Sequence, residues 1–194
     1  METIIKGNRA WIDGVWEKID KKLRIVRDAS KNKIPYTTEN GIHDDKMHGE
    51  NRQVCWWTNG FWPGMMWLMY VGTQDEQYKF VAEHAETLLD EALKTYDGLD
   101  HDVGFIWHIS AGVDYRLTGN RQSRLRALYA ASILSGRFNP EADYIRAWNA
   151  ESQKGWAIID SMMNLNLLYW AAEETGNACF RYMAMRHANK TMQN

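Results

Sequence analysis

The strongest constraint on how this 194-residue chain can fold is a unit that recurs three times. Tyr70-Val71-Gly72-Thr73-Gln74-Asp75, Tyr115-Arg116-Leu117-Thr118-Gly119-Asn120 and Glu173-Glu174-Thr175-Gly176-Asn177 each end a strongly apolar stretch and open a more amphipathic one. Glycine at such a point reads as the left-handed residue just past a helix. The unit is therefore an αα-hairpin: an inner apolar helix, a tight turn, an outer helix. Hairpins of this kind bury a continuous core only by stacking on their neighbours. The chain reads as all-α, built from αα-hairpin repeats.

Periodicity places the elements. Residues 9–26 form an amphipathic helix with Ile12, Trp16, Ile19, Leu23 and Val26 on one face. Residues 61–71 are an apolar helix opened by Pro63 near its first turn. Residues 75–95, 123–134, 158–174 and 178–191 are further helices. Residues 103–117 carry Phe105, Ile109, Val113 and Leu117 about one turn apart, as a single helix does. Residues 28–53 and 137–156 show no period, contain Pro35 and Pro140, and read as long loops. Loops that long in a compact domain are often functional. The loops before the inner helices lie opposite the glycine turns, so functional residues are expected at that end.

Charge and composition exclude several classes. A net charge of -2, with no basic run, gives no attraction to nucleic acid or an anionic membrane. Cys55 and Cys179 make no disulfide framework and fit a reducing compartment. The first residues hold no apolar stretch long enough for a signal peptide or membrane span. A cytoplasmic protein is expected. The unusual feature is 10 Trp, several beside Gly, Asn or Pro, as in Trp56-Trp57-Thr58-Asn59-Gly60-Phe61-Trp62-Pro63-Gly64. Rings at such junctions suit the wall of a concave site, and an indole stacks on the C–H face of a sugar.

The candidate chemistry lies in Leu99-Asp100-His101-Asp102-Val103-Gly104-Phe105-Ile106-Trp107-His108. Asp102 directly precedes a helix, where the ordinary role of a carboxylate is N-capping. Asp160, in Ile158-Ile159-Asp160-Ser161-Met162-Met163, holds the same place in the next unit. A carboxyl among apolar side chains is desolvated, which raises its pKa and favours a general-acid role. Two such groups at one end of adjacent hairpins would face one cavity, an arrangement suited to acid/base chemistry on a sugar. The histidines, His43, His48, His101 and His108 among them, lack zinc-motif spacing, so neither a metal nor another cofactor is expected.

These pieces together resemble a known family. Trp57-Thr58-Asn59-Gly60-Phe61-Trp62-Pro63-Gly64, His101-Asp102-Val103-Gly104-Phe105, Ser123-Arg124, Gly136-Arg137-Phe138-Asn139, Arg146-Ala147-Trp148-Asn149, Ile159-Asp160 and Met162-Met163-Asn164 recur in this order in the unsaturated glucuronyl hydrolases, glycoside hydrolase family 88. The resemblance runs from about Trp11 to the end of the chain. It implies an (α/α)6 toroid. It implies removal of the unsaturated (4,5-dehydro) uronic acid from the non-reducing end of lyase-generated oligosaccharides, glycosaminoglycan-type disaccharides among them, by hydration of a vinyl ether. By motif, Asp160 resembles the general acid/base and Asp102 its partner carboxylate. His101, Trp57 and Trp148 match positions that contact the sugar. Ser161, Ile106 and Asn166 stand where the family usually has Cys, Met and Pro.

The family toroid needs six hairpins, and residues 1–194 supply three to four. One incomplete toroid domain is expected, able to self-associate through its exposed edges. The alternatives are a non-catalytic α-hairpin fragment and a related unsaturated rhamnogalacturonyl hydrolase.

Overall fold

The computed structural model describes residues 7–50 and 52–193. Helix α1 spans Arg9–Ser30. Three hairpins follow. The first joins α2, Phe61–Thr73, to α3, Glu76–Thr95. In the second, α4, Val103–His108, and α5, Ala111–Thr118, together lead to α6, Arg121–Ser135. The third joins α7, Ser161–Thr175, to α8, Ala178–Gln193. The chain is all-α, an array of αα-hairpins. Among the described residues, no helix is long and apolar enough to cross a membrane.

The three turns share one construction. A residue in the left-handed region follows each inner helix: Gln74 at φ 58°, Gly119 at 75° and Gly176 at 70°. The threonine before it accepts the amide of the residue after it: Thr73 from Asp75, Thr118 from Asn120 and Thr175 from Asn177, at 3.1–3.2 Å. That last residue then caps the outer helix. Asp75 accepts the Gln77 amide, Asn120 those of Gln122 and Ser123, and Asn177 that of Cys179. In the first unit the left-handed residue is Gln74, not the expected glycine. Gly72 lies inside α2, where an added Cβ would sit 2.4 Å from the Trp16 ring of α1.

Three other expectations are corrected. The helix over residues 103–117 breaks after His108, where the Ser110 hydroxyl takes the Ile106 carbonyl in place of a backbone amide. Each long loop holds a small antiparallel ladder. Strand β1, Thr38–Glu39, pairs with β2, Ile42–His43, and β3, Phe138–Asn139, with β4, Tyr144–Ile145. The apolar stripe of α1 is only partly covered: Leu23 and Val26 pack on the core, while Ile12, Trp16 and Ile19 are 37–42% exposed.

Trp62, Trp67, Trp107, Tyr78 and Leu168 fill the centre of the core. Beside them lies a closed polar network. The Ser123 hydroxyl stands 2.7 Å from a Glu86 oxygen and 2.6 Å from an Asp114 oxygen. One hydroxyl proton cannot serve two carboxylates, so one carboxyl must donate. Burial, and then the nearby Asp114, push Glu86 up to about 8. Glu86 therefore donates to Ser123, and Ser123 to Asp114. Trp67 Nε1 and Thr118 Oγ1 satisfy the remaining oxygens, Asn120 Nδ2 adds a bond to the Asp114 oxygen that Ser123 contacts, and the Arg126 guanidinium lies 3.6 Å from Glu86.

Candidate active site

Two close approaches assemble the end opposite the glycine turns. Gly60 lies against Ile106: a Cβ there would stand 2.4 Å from the Ile106 carbonyl oxygen. Gly104 lies against Asn164 of α7, with an equally short 2.4 Å to the Asn164 side-chain oxygen. The same oxygen accepts the Phe105 amide at 2.7 Å. Glycine at 60 and 104 thus lets the Trp57–Gly60 turn, α4 and α7 converge. Asn59, fully buried, donates to the carbonyls of Gln53 and Val54 and ties the preceding loop to this turn.

A cavity of about 820 Å³ opens where they meet. Its wall includes Cys55, Trp56, Trp57, Asp100, Asp102, Trp148, Ile158 and Asp160. Trp57 forms an aromatic group with Phe61 and Phe105, at centroid distances of 5.7 and 5.8 Å. Trp148 packs edge-on against Trp156 and against His101. The Trp148 loop is held by arginines that donate to carbonyls. Arg146 serves Trp148, Asn149 and Ala150, while Arg137 serves Arg146 and Ala147. Asn149 donates to the Leu99 carbonyl at 2.9 Å and so joins this loop to the Asp100–Asp102 segment.

Asp102 and Asp160 occupy the N-cap positions of α4 and α7, yet neither side chain makes a capping hydrogen bond. One oxygen of each is buried without a hydrogen-bond partner. Burial, followed by the charges of Asp100 and Asp160, pushes Asp102 up to about 7. Burial also raises Asp160, against the pull of the Ser161 amide. Asp100 is raised by burial as well, against the Asp102 amide that it accepts at 2.9 Å.

His101 lies behind the wall. It is fully buried, with Nδ1 2.9 Å from the Ser161 hydroxyl and Nε2 3.4 Å from an Asp102 oxygen. Burial lowers its pKa to about 4, so the ring is neutral. Of the residues singled out in the sequence, Trp57, Asp102, Trp148 and Asp160 share the cavity, and His101 supports two of them from beneath. Sequence reasoning assigned no role to Asp100, Ser161, Arg137 or Asn164. Only Asp100 had a legible signal, since an Asp two residues before an amide is a common Asx-turn acceptor.

No family model matches the chain. The unsaturated glucuronyl hydrolase of Bacillus sp. (strain GL1) is 39% identical over 139 residues, which cover 70% of this chain and 37% of that protein. Its fold agrees too. The crystal structure of the Bacillus sp. GL1 enzyme superposes with a TM-score of 0.74 at 32% identity, over 84% of this chain and 43% of that one. The chain is a homologue of the unsaturated glucuronyl hydrolases. A second relative is a Streptococcus agalactiae unsaturated glucuronyl hydrolase mutant complexed with dGlcA-GalNAc6S. It is 28% identical with a TM-score of 0.72, covering 91% of this chain and 41% of that one. The chain spans less than half the length of the relatives it matches.

Proposed function

We propose that this chain carries the acid/base site of a glycoside hydrolase that removes unsaturated uronic acid from lyase-generated oligosaccharides. One observation carries the reading. Two carboxyls begin successive inner helices, neither caps its helix, and both face one cavity walled by indoles. Sequence and fold likeness to the unsaturated glucuronyl hydrolases support it.

In this reading Asp160 protonates carbon 4 of the vinyl ether, which leaves carbon 5 electron-poor. Water adds at carbon 5 and returns its proton to the Asp160 carboxylate. The hemiketal then collapses and releases the shortened sugar. A double bond is attacked, so carboxylate separation does not set the stereochemical outcome here. Asp102 is the partner: with its proton held to about 7, it adds little negative charge against an anionic sugar. Trp57 and Trp148 stack on the sugar, and neutral His101 holds Trp148 and Asp102 in place.

The test uses a chimera in which this segment replaces the matching segment of the Bacillus sp. enzyme. With dGlcA-GalNAc6S as probe, loss of the ultraviolet absorbance of the unsaturated uronate reports turnover. Asp160→Asn should slow it by at least ~100-fold, the scale of a positioned acid. Near-normal turnover in that variant overturns the assignment. We also propose that the 194-residue chain alone self-associates and turns over little substrate. Leu68 of α2 is 70% exposed and Met163 of α7 is 59% exposed, and apolar surface of this kind associates. Sizing chromatography should show species above 22.6 kDa; an active, monodisperse monomer contradicts this.

A further inference from the structure

We propose that Asp100 is a positioning residue of this cavity: it fixes the Asp102 backbone and, through its own negative charge, decides which carboxyl carries the proton. The inference rests on the reading of Asp102 and Asp160 as the acid/base pair. Asp100 lines the same cavity and accepts the Asp102 amide at 2.9 Å. Polar atoms of Asp100, His101 and Asp102 lie within 4.8 Å of one another. Two carboxylates that close, in a partly desolvated site, do not both ionise readily.

The groups facing Asp102 come from three segments, and among them the Asp100 carboxyl lies within 4.8 Å. On its own loop stand Asp100 and His101, and His101 is neutral. From the start of α7 come Asp160 and Asn164; the Asn164 oxygen is taken by the Phe105 amide, and its NH2 group favours the charged form of Asp102, against burial and the charges of Asp100 and Asp160. From the loop after α6 comes Arg137, whose donors go to the carbonyls of Arg146, Ala147 and Leu99 and to the Asn149 side chain. That guanidinium therefore acts on Asp100 and Asp102 only at a distance. Asp100 has what Asp102 lacks, a backbone amide donating to its carboxylate, so Asp100 ionises first and its charge keeps the proton on Asp102.

The experiment follows the Asp102 carboxyl carbon by NMR through a pH titration of the full 194-residue chain. Its resonance is identified by its loss in Asp102→Asn. Asp100→Asn should lower the Asp102 midpoint by about one pH unit or more, the usual effect of removing a close like charge. Asp100→Glu keeps the charge and should keep the midpoint high. Asp100→Ser leaves a hydroxyl to accept the Asp102 amide and stands in for Asp100→Asn if that variant does not fold. A midpoint that stays put in the neutral variants overturns the proposal. The readout needs no substrate. A high, Asp100-dependent midpoint in a chain whose chimera fails to hydrolyse the disaccharide counts against the hydrolase reading alone.

Discussion

Two clusters of carboxyls, one buried and one half-buried, handle their charge in opposite ways. Around Glu86 and Asp114 the oxygens are met by Trp67, Ser123, Thr118 and Asn120, and Arg126, paired with Asp90 at 2.7 Å and 2.8 Å, also sets its positive charge 3.6 Å from Glu86. Around Asp102 and Asp160 buried oxygens lack partners and the neighbouring charges are alike. A satisfied network lowers the energy of the fold; an unsatisfied one raises it and persists only because the surrounding packing holds it. In the proposed function, the contrast separates carboxyls that serve structure from those that exchange protons with substrate.

The largest way to break this contrast is Asp114→Ala. It takes the carboxylate acceptor from buried Ser123 and half-buried Asn120, while Thr118 keeps the backbone carbonyl of residue 114, and the expected loss is about 1–3 kcal/mol in urea unfolding. A loss near zero means that water reaches the network. The converse variant, Asp160→Asn, should cost the ~100-fold in turnover stated above while leaving the unfolding midpoint unchanged or raised, because it removes a desolvated charge. Asp160→Asn that unfolds the chain would assign that residue to the structural class.

A smaller effect appears in pH. The folded-state pKa of Glu86, about 8, lies above the ordinary 4.5, so its contribution is fully present below 4.5 and is lost as pH rises through about 8. Thermal melts should show wild type losing stability relative to Glu86→Gln across that window. Gln donates to Ser123 and accepts from Trp67 at every pH, and parallel melts would place the proton elsewhere. The smallest effect is expected at Trp148→Ala in the chimera, with KM raised or kcat/KM lowered about tenfold by loss of a stacking face. An unfolded product would instead make that indole a core residue, supported as it is by His101 and Trp156.

The sequence by itself determined the hairpin array. Its apolar periods and turn residues are local signals, and each of the three turns uses a threonine followed two residues on by an Asp or Asn cap, with matching geometry. The ends of α4 and α5 were less legible, because the break turns on a single serine hydroxyl competing for the Ile106 carbonyl. The two short ladders were illegible, since two residues per strand leave no alternation to read. Gly72 misled for a reason outside its own helix, the Trp16 ring that packs where a side chain would be.

What only the tertiary structure decided is the fate of the residues before each helix. Asp75, Asn120, Asn177, Asp102 and Asp160 all sit at that position, and all five are residue types that ordinarily cap a helix. Three of them turn inward to their own helix amides. The other two do not, since the close contacts at Gly60 and Gly104 bring three segments together there and leave those carboxyls facing a shared cavity. Capping is a local choice made within one turn of helix. Losing that cap to a cavity depends on segments that meet only in the folded chain, such as Gly104 and Asn164, which are 60 positions apart in sequence and in contact in space.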